Sequence, residues 1–351
     1  MILIIKNGIN IFWGFRFIQF NNIRNNSDEK INIVIPLSFN EYSIFSITSM
    51  LVNSFGVALD EICYCPSWLI YVPENFKDNI DKVFSNCMYG RELLTFSYIL
   101  RNDCNLSCKL CTTCSPLLKE TDVVKFTNFK RDIDRLHELF DNVKFVSFQG
   151  GEILLDESLL CQCIEYFSKV FPMTDMHIRT NGSLILNLKE ESIICFKKHN
   201  ITIDISLYPA LYRKIDDIME FLQNNGLKST IYHADKFTKR ISKNLVHDME
   251  RKSELCIECI RFMCVQLQDG KMARCPFPRA MMFLNKEFNT EYPVDGEFDI
   301  HDPSLTTNLF YKKLLEPIGF CSYCRMEEHE YDIPHEMLPK NGENVLSDWI
   351  S

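Results

Sequence analysis

Three cysteines at a C-x3-C-x2-C spacing, Cys104, Cys108 and Cys111, follow directly on the apolar run 93–100, and they restrict what this chain can fold around. Three thiolates on one short loop can hold three irons of a four-iron, four-sulfur cluster and leave the fourth iron free to bind a substrate. An open iron implies chemistry, not storage. The alternative is a zinc site completed by Cys114 or a histidine, since tetrahedral cysteine sites use similar short spacings. A fourth thiolate from Cys114 would close the open position, so Cys114 is read as a non-ligand.

The remaining cysteines point the same way. There are 16 in all, and the apolar start Met1 to Ile5 ends at Lys6 without a small-residue cleavage site, so a cytoplasmic protein that uses thiols for metal is expected in place of a disulfide framework. No apolar run reaches the roughly 20 residues of a membrane helix, so no membrane span is expected. A formal net charge of -9 argues against a nucleic-acid partner.

Residues 1–90 read as a small α/β unit: a hairpin across Asn7-Gly8, a strand at 31–37, a helix at 41–55 and a strand at 58–64. From 93 onward strand and helix alternate. Strands are expected at 93–100, 143–148, 175–179, 201–207 and 228–233, with helices at 132–140, 158–170, 190–198 and 212–224. Repeated β-α units imply a parallel sheet with right-handed crossovers, whose active residues gather at the C-terminal strand ends. The cysteine loop, Gly150-Gly151-Glu152, Asn181-Gly182 and Ser206-Leu207-Tyr208 all follow strands, so they fall on one rim.

These residues resemble the radical SAM superfamily over roughly 93–235. The resemblance implies a partial (β/α)6 TIM-like barrel at 91–240. It also implies a [4Fe-4S] cluster on Cys104, Cys108 and Cys111 whose open iron chelates S-adenosylmethionine, and one-electron cleavage to a 5'-deoxyadenosyl radical. Gly150 and Gly151 then let backbone approach the methionine amino group, with Glu152 accepting hydrogen bonds nearby. Arg179, Asn181 and Ser206 are carried over as carboxylate or ribose contacts. Leu110 departs from the family, where an aromatic commonly precedes the third cysteine, so an adenine contact from it would be aliphatic or through backbone.

A second cysteine group lies at 241–351. Cys264 and Cys275 flank a hairpin signal at Asp269-Gly270, and Cys321 and Cys324 add a C-x2-C pair, which makes four thiolates. This resembles the Twitch module, the shortened form of the SPASM extension, and implies a second, auxiliary [4Fe-4S] cluster. Zinc on the same four residues is the alternative, and Cys256 or Cys259 could replace one of them. Cys63, Cys65, Cys87, Cys161, Cys163 and Cys195 read as small buried hydrophobes.

His233, Asp235 and Tyr208 are candidate catalytic groups near the fourth and fifth strand ends. The expected activity is oxidation of a small polyol, sugar or cyclitol, with the auxiliary cluster taking an electron. An external electron donor of flavodoxin or ferredoxin type is implied. The alternatives are modification of a ribosomally made peptide and a non-catalytic metal-binding scaffold.

Overall fold

The computed structural model describes residues 2–6, 9–13, 31–35, 62–64, 91–118, 120–248, 265–325, 332–338 and 344–351. At the N-terminus, β1 (Ile2–Lys6), β2 (Ile9–Trp13), β3 (Ile31–Ile35) and β4 (Ile62–Tyr64) form a sheet of order β2-β1-β3-β4. Lys6 faces Ile9 in the antiparallel β1–β2 pair, the register expected of a hairpin closed by Asn7-Gly8. β3 and β4 run parallel, as a β-α-β crossover requires. The helix expected at 41–55 lies outside the described residues.

The main sheet is mixed but mostly parallel. β5 (Glu92–Arg101), β6 (Asn142–Gly150), β7 (Asp175–Thr180), β8 (Thr202–Leu207) and β9 (Lys228–His233) are neighbours in sequence order and all parallel. Between them run α1 (Phe126–Leu139), α2 (Glu157–Val170), α3 (Glu190–Lys198) and α4 (Ile215–Asn224). Two helices differ from the sequence expectation. α1 starts at Phe126 instead of Asp132, because Phe129, Ile133 and Leu136 continue one apolar stripe that is fully buried against the sheet. The segment expected as helix from 212 opens as a 3-10 turn, Pro209–Lys214, before α4, with Pro209 setting the first turn.

The core explains which side chains face the other way. Met176, Ile178 and Thr180 of β7 are buried on the helix side, while Asp175, His177 and Arg179 alternate onto the opposite face. The same alternation turns Thr95, Ser97, Phe145 and Ser147 of the first two strands onto the sheet face away from the helices, where they line a cavity.

Beyond β5 the sheet is extended by residues far away in sequence. After β10 (Lys236–Thr238) come β11 (Gln266–Gln268), β12 (Lys271–Ala273) and β13 (Glu297–Asp299), which complete the order β13-β12-β11-β5-β6-β7-β8-β9. β11 runs parallel to β5, with Gln266 opposite Ser97. Asp269 and Gly270, at φ of 46° and 75°, both take the left-handed backbone that a two-residue hairpin turn needs. Four β-α repeats and a fifth strand thus lie among the described residues, and the sixth parallel strand comes from the hairpin edge.

Asp132 ties this extension to the parallel strands. Its buried carboxylate accepts from Tyr98 Oη at 2.8 Å and from Gly270 N at 2.8 Å, and His301 Nε2 lies 2.7 Å from its second oxygen. Helix α1, strand β5 and the hairpin turn therefore converge on one side chain. Two helices complete the C-terminal part, α5 (Phe277–Phe288) and α6 (Thr307–Leu315). Among the described residues no helix is long and apolar enough to cross a membrane.

Candidate metal centre

The loop that carries Cys104, Cys108 and Cys111 leaves the end of β5 and is held from three sides. Arg101 grips Asp103 through two bonds, Nε to Oδ1 at 2.9 Å and an Nη2 bond to Oδ2 at 2.6 Å. Gly151 N donates to Arg101 O at 2.9 Å and Glu152 N to Asp103 O at 3.0 Å, so the loop after β6 is laid backbone to backbone along the cysteine loop. A Cβ at Gly150 would fall 1.9 Å from Arg101 O, and one at Gly151 would fall 2.1 Å from Asp103 O. The two glycines are therefore required by the cysteine loop's own backbone, a reason independent of any cofactor.

Glu152 sits behind this contact with no exposed surface. Its carboxylate accepts from Leu154 N at 3.0 Å, Thr180 Oγ1 at 2.8 Å and Asn181 N at 2.8 Å. Burial raises its pKa above the ordinary carboxylate value, against the lowering effect of those bonds. It thus holds the β7 end against the β6 end. Asn181 passes the connection on, with Nδ2 at 2.9 Å from Asn105 Oδ1 and 3.7 Å from Cys104 Sγ.

All three thiols line one cavity of about 690 Å³ at the C-terminal ends of the strands. Burial pushes the Cys104 thiol up to about 11 and the Cys108 thiol to about 12, with the neighbouring cysteines adding to the rise. Ligation to iron removes those protons, so cluster binding and deprotonation go together. Among the described residues no three His, Cys, Asp or Glu side chains are gathered so as to hold a single metal ion. Three thiols spread around one cavity suit a cluster with one sulfur on each of three irons, and that is how the donor set fits. Cys114, by contrast, is 1% exposed and packed in the apolar cluster beneath, beside Leu117 and Phe277.

The same cavity gathers most of the other residues singled out in the sequence. Gly150, Gly151, Arg179, Asn181, Ser206 and Tyr208 line it, and so do Cys275 and Cys324 from the C-terminal part. Cys321 packs beside Cys324 against the second apolar cluster without lining the cavity. Leu110 is buried at φ 57° and, like Glu152, is not in the lining. His233 and Asp235 are exposed and stand outside it; the His233 ring packs edge-on against Tyr212 at 5.8 Å. Cys264, Cys256 and Cys259 lie outside the described residues.

Residues 95–227 match the 4Fe-4S single cluster domain. The matched segment includes Cys104, Cys108 and Cys111. No curated protein matches the chain. Among solved structures the chain is similar to anSMEcpe with bound AdoMet, at 17% identity over 39% of this chain and a TM-score of 0.31; the match spans 42% of the anSMEcpe chain. It is similar to BtrN in complex with AdoMet and 2-DOIA at 14% identity, covering 68% of this chain and 95% of that one, with a TM-score of 0.41. It is also similar to Streptococcus suis SuiB bound to precursor peptide SuiA, at 12% identity over 68% of each chain and a TM-score of 0.36.

Side chains of β6, β7 and β8 form a polar group on the sheet face away from the helices. His177 Nδ1 lies 2.9 Å from Asp204 Oδ2, the other Asp204 oxygen is buried without a partner, and so is Ser147 Oγ. Sequence reasoning passed over this group, although strand alternation could have found it. Burial works against a charged His177 ring, yet Asp204 and Asp175 outweigh it and raise its pKa. Stability from that pair is complete below the unfolded value of about 6.5 and is lost as pH rises through the raised folded value. Thermal midpoints taken from roughly pH 6 to 9 should fall more in the wild type than in His177→Gln. Parallel profiles would remove the pair from the account.

A Gly151→Ala substitution is expected to push the cysteine loop out of register, at an overpacking cost of about 1–3 kcal/mol. Iron bound per chain after anaerobic reconstitution is the measurement, and unchanged iron would show that the loop adapts.

Proposed function

We propose that this chain is a radical SAM oxidoreductase acting on a small hydroxylated substrate, and the observation that carries the proposal is the single cavity lined by Cys104, Cys108 and Cys111 at the strand ends. Bound there, a [4Fe-4S] cluster with S-adenosylmethionine supplies a 5'-deoxyadenosyl radical. Cys104, Cys108 and Cys111 hold the cluster, with Gly150 and Gly151 keeping their loop in place. Arg179, Asn181 and Ser206 are the proposed contacts to S-adenosylmethionine; Leu110, carried over with them, is buried outside the cavity lining. Glu152 acts through Asn181 as a positioning residue, consistent with its complete burial.

The proposed substrate class follows from the interior polar group. A buried carboxylate oxygen and a buried hydroxyl without partners are costly unless a ligand satisfies them. Ser147, whose hydroxyl is without a partner and which lines the cavity, fits a ligand with hydroxyl groups, and that supports a polyol, sugar or cyclitol. Tyr208, half-buried at the cavity wall, is retained as a candidate substrate contact. His233 and Asp235, exposed outside the cavity, have no such support.

Cys264, Cys275, Cys321 and Cys324 are proposed to hold the auxiliary [4Fe-4S] cluster, which when bound accepts the electron that leaves as the substrate becomes a carbonyl. The presence of Cys275 and Cys324 in the same cavity wall supports this pairing of sites. The proposed organisation is 1–90, 91–240 and 241–351, with an external reductase of flavodoxin or ferredoxin type.

The experiment is anaerobic reconstitution followed by dithionite and S-adenosylmethionine. Accumulation of 5'-deoxyadenosine is expected, and its absence would favour the metal-binding scaffold. A panel of hexoses and aminocyclitols should then yield a product lighter by two hydrogens. Turnover of a peptide alone would overturn the polyol assignment.

A further inference from the structure

Residues 332–338 lie across the cluster loop. β14 (Asp332–Pro334) pairs antiparallel with β10, and His335 N then donates to Asp235 O at 2.8 Å. Next, Lys109 N donates to Glu336 O at 3.0 Å and Leu338 N to Ser107 O at 2.7 Å, so 336–338 runs as a short antiparallel partner of 107–109. Lys109 Nζ adds ion pairs to Glu336 at 3.0 Å and Asp348 at 3.3 Å. Under this strap Cys108 is 7% exposed, while Met337 Sδ lies 3.8 Å from its sulfur.

The strap also aims one ring. His335 packs against Tyr208 at 4.8 Å and edge-on against Phe237 at 5.3 Å, contacts that fix its plane. Its Nε2 then stands 3.2 Å from Cys108 Sγ. A thiolate bound to iron has no proton to offer, so a bond across this gap must run from Nε2–H to sulfur.

We infer that His335 is a positioning residue that donates a hydrogen bond to the Cys108 sulfur of the loaded cluster, and that the 332–338 strap sets how readily that cluster is reduced. The inference rests on the radical SAM reading of the three cysteines. Hydrogen bonds to cluster sulfurs and exposure to solvent are the protein's main controls on iron-sulfur potentials. A donor spreads the charge added on reduction and so favours the reduced state. Exclusion of water by the strap works the other way, which gives the donor more weight at this sulfur than it would have in the open.

The test is an EPR-monitored redox titration of the reconstituted full chain, following the signal that changes when S-adenosylmethionine is added. His335→Phe keeps an aromatic ring against Tyr208 and Phe237 but removes the donor, and His335→Gln restores an N–H. The midpoint is expected to move to more negative potential in His335→Phe and to return part of the way in His335→Gln. Cluster loss in His335→Phe with retention in His335→Gln would also support the donor. Equal midpoints in all three chains would overturn the inference and leave the functional reading intact. A wild-type chain that assembles no cluster would overturn both.

Discussion

Cys108→Ala is expected to abolish 5'-deoxyadenosine formation in dithionite-reduced protein, and to lower the bound iron by roughly four per chain. The reason is geometric. A cluster held by three cysteines has no spare protein ligand, and Cys108 is the most enclosed of the three, under Glu336–Leu338 on one side and beside Cys104 and Cys111 on the other. The far-UV spectrum should stay that of the wild type, because the strands and helices of the barrel do not depend on the thiol. Product formation at the wild-type rate would show that the reaction, if any, happens elsewhere in the molecule. Iron analysis alongside the assay separates loss of the cluster from loss of turnover.

Asp132→Ala is expected to be the most destabilising single change in the barrel, lowering the unfolding free energy by about 3–5 kcal/mol. Three buried or half-buried groups converge on this carboxylate: the Tyr98 hydroxyl, the Gly270 amide and the His301 ring. Removing it leaves each without its partner, and the Tyr98 hydroxyl and Gly270 amide are buried away from bulk water. Burial, the largest cause holding the Tyr98 phenol far above its usual pKa, persists in the variant, so the phenol cannot relieve the loss by ionising. Chemical denaturation monitored by circular dichroism would measure the change. A loss below about 1 kcal/mol would mean that the hairpin edge is held by β5–β11 pairing without help from α1.

The parallel sheet was legible because its signals are local. Alternation and apolar runs marked all five consecutive strands, and Lys228–His233 has the ends the sequence suggested. Asp269-Gly270 announced its turn, since few other pairs adopt left-handed backbone twice in succession. The cysteine spacing was equally readable, because a short loop brings its own side chains together. The start of α1 was missed by six residues because Thr127 and Asn128 interrupt an apolar stripe that only burial shows to be continuous.

The amino-acid sequence by itself determined the parallel strands, the position of the three-thiol loop at the first strand end, and the glycine pair one β-α unit later. Only the tertiary structure decided why those glycines are needed, where Glu152 spends its hydrogen bonds, and which cysteines share a cavity. It also joined β11 to β5 and laid His335 on Cys108, contacts between residues 169 and 227 positions apart respectively for Gln266 with Ser97 and His335 with Cys108. The physical reason is that periodicity and spacing encode what neighbours along the chain will do. Pairings between distant segments are selected by the whole packed molecule, and no local pattern carries them.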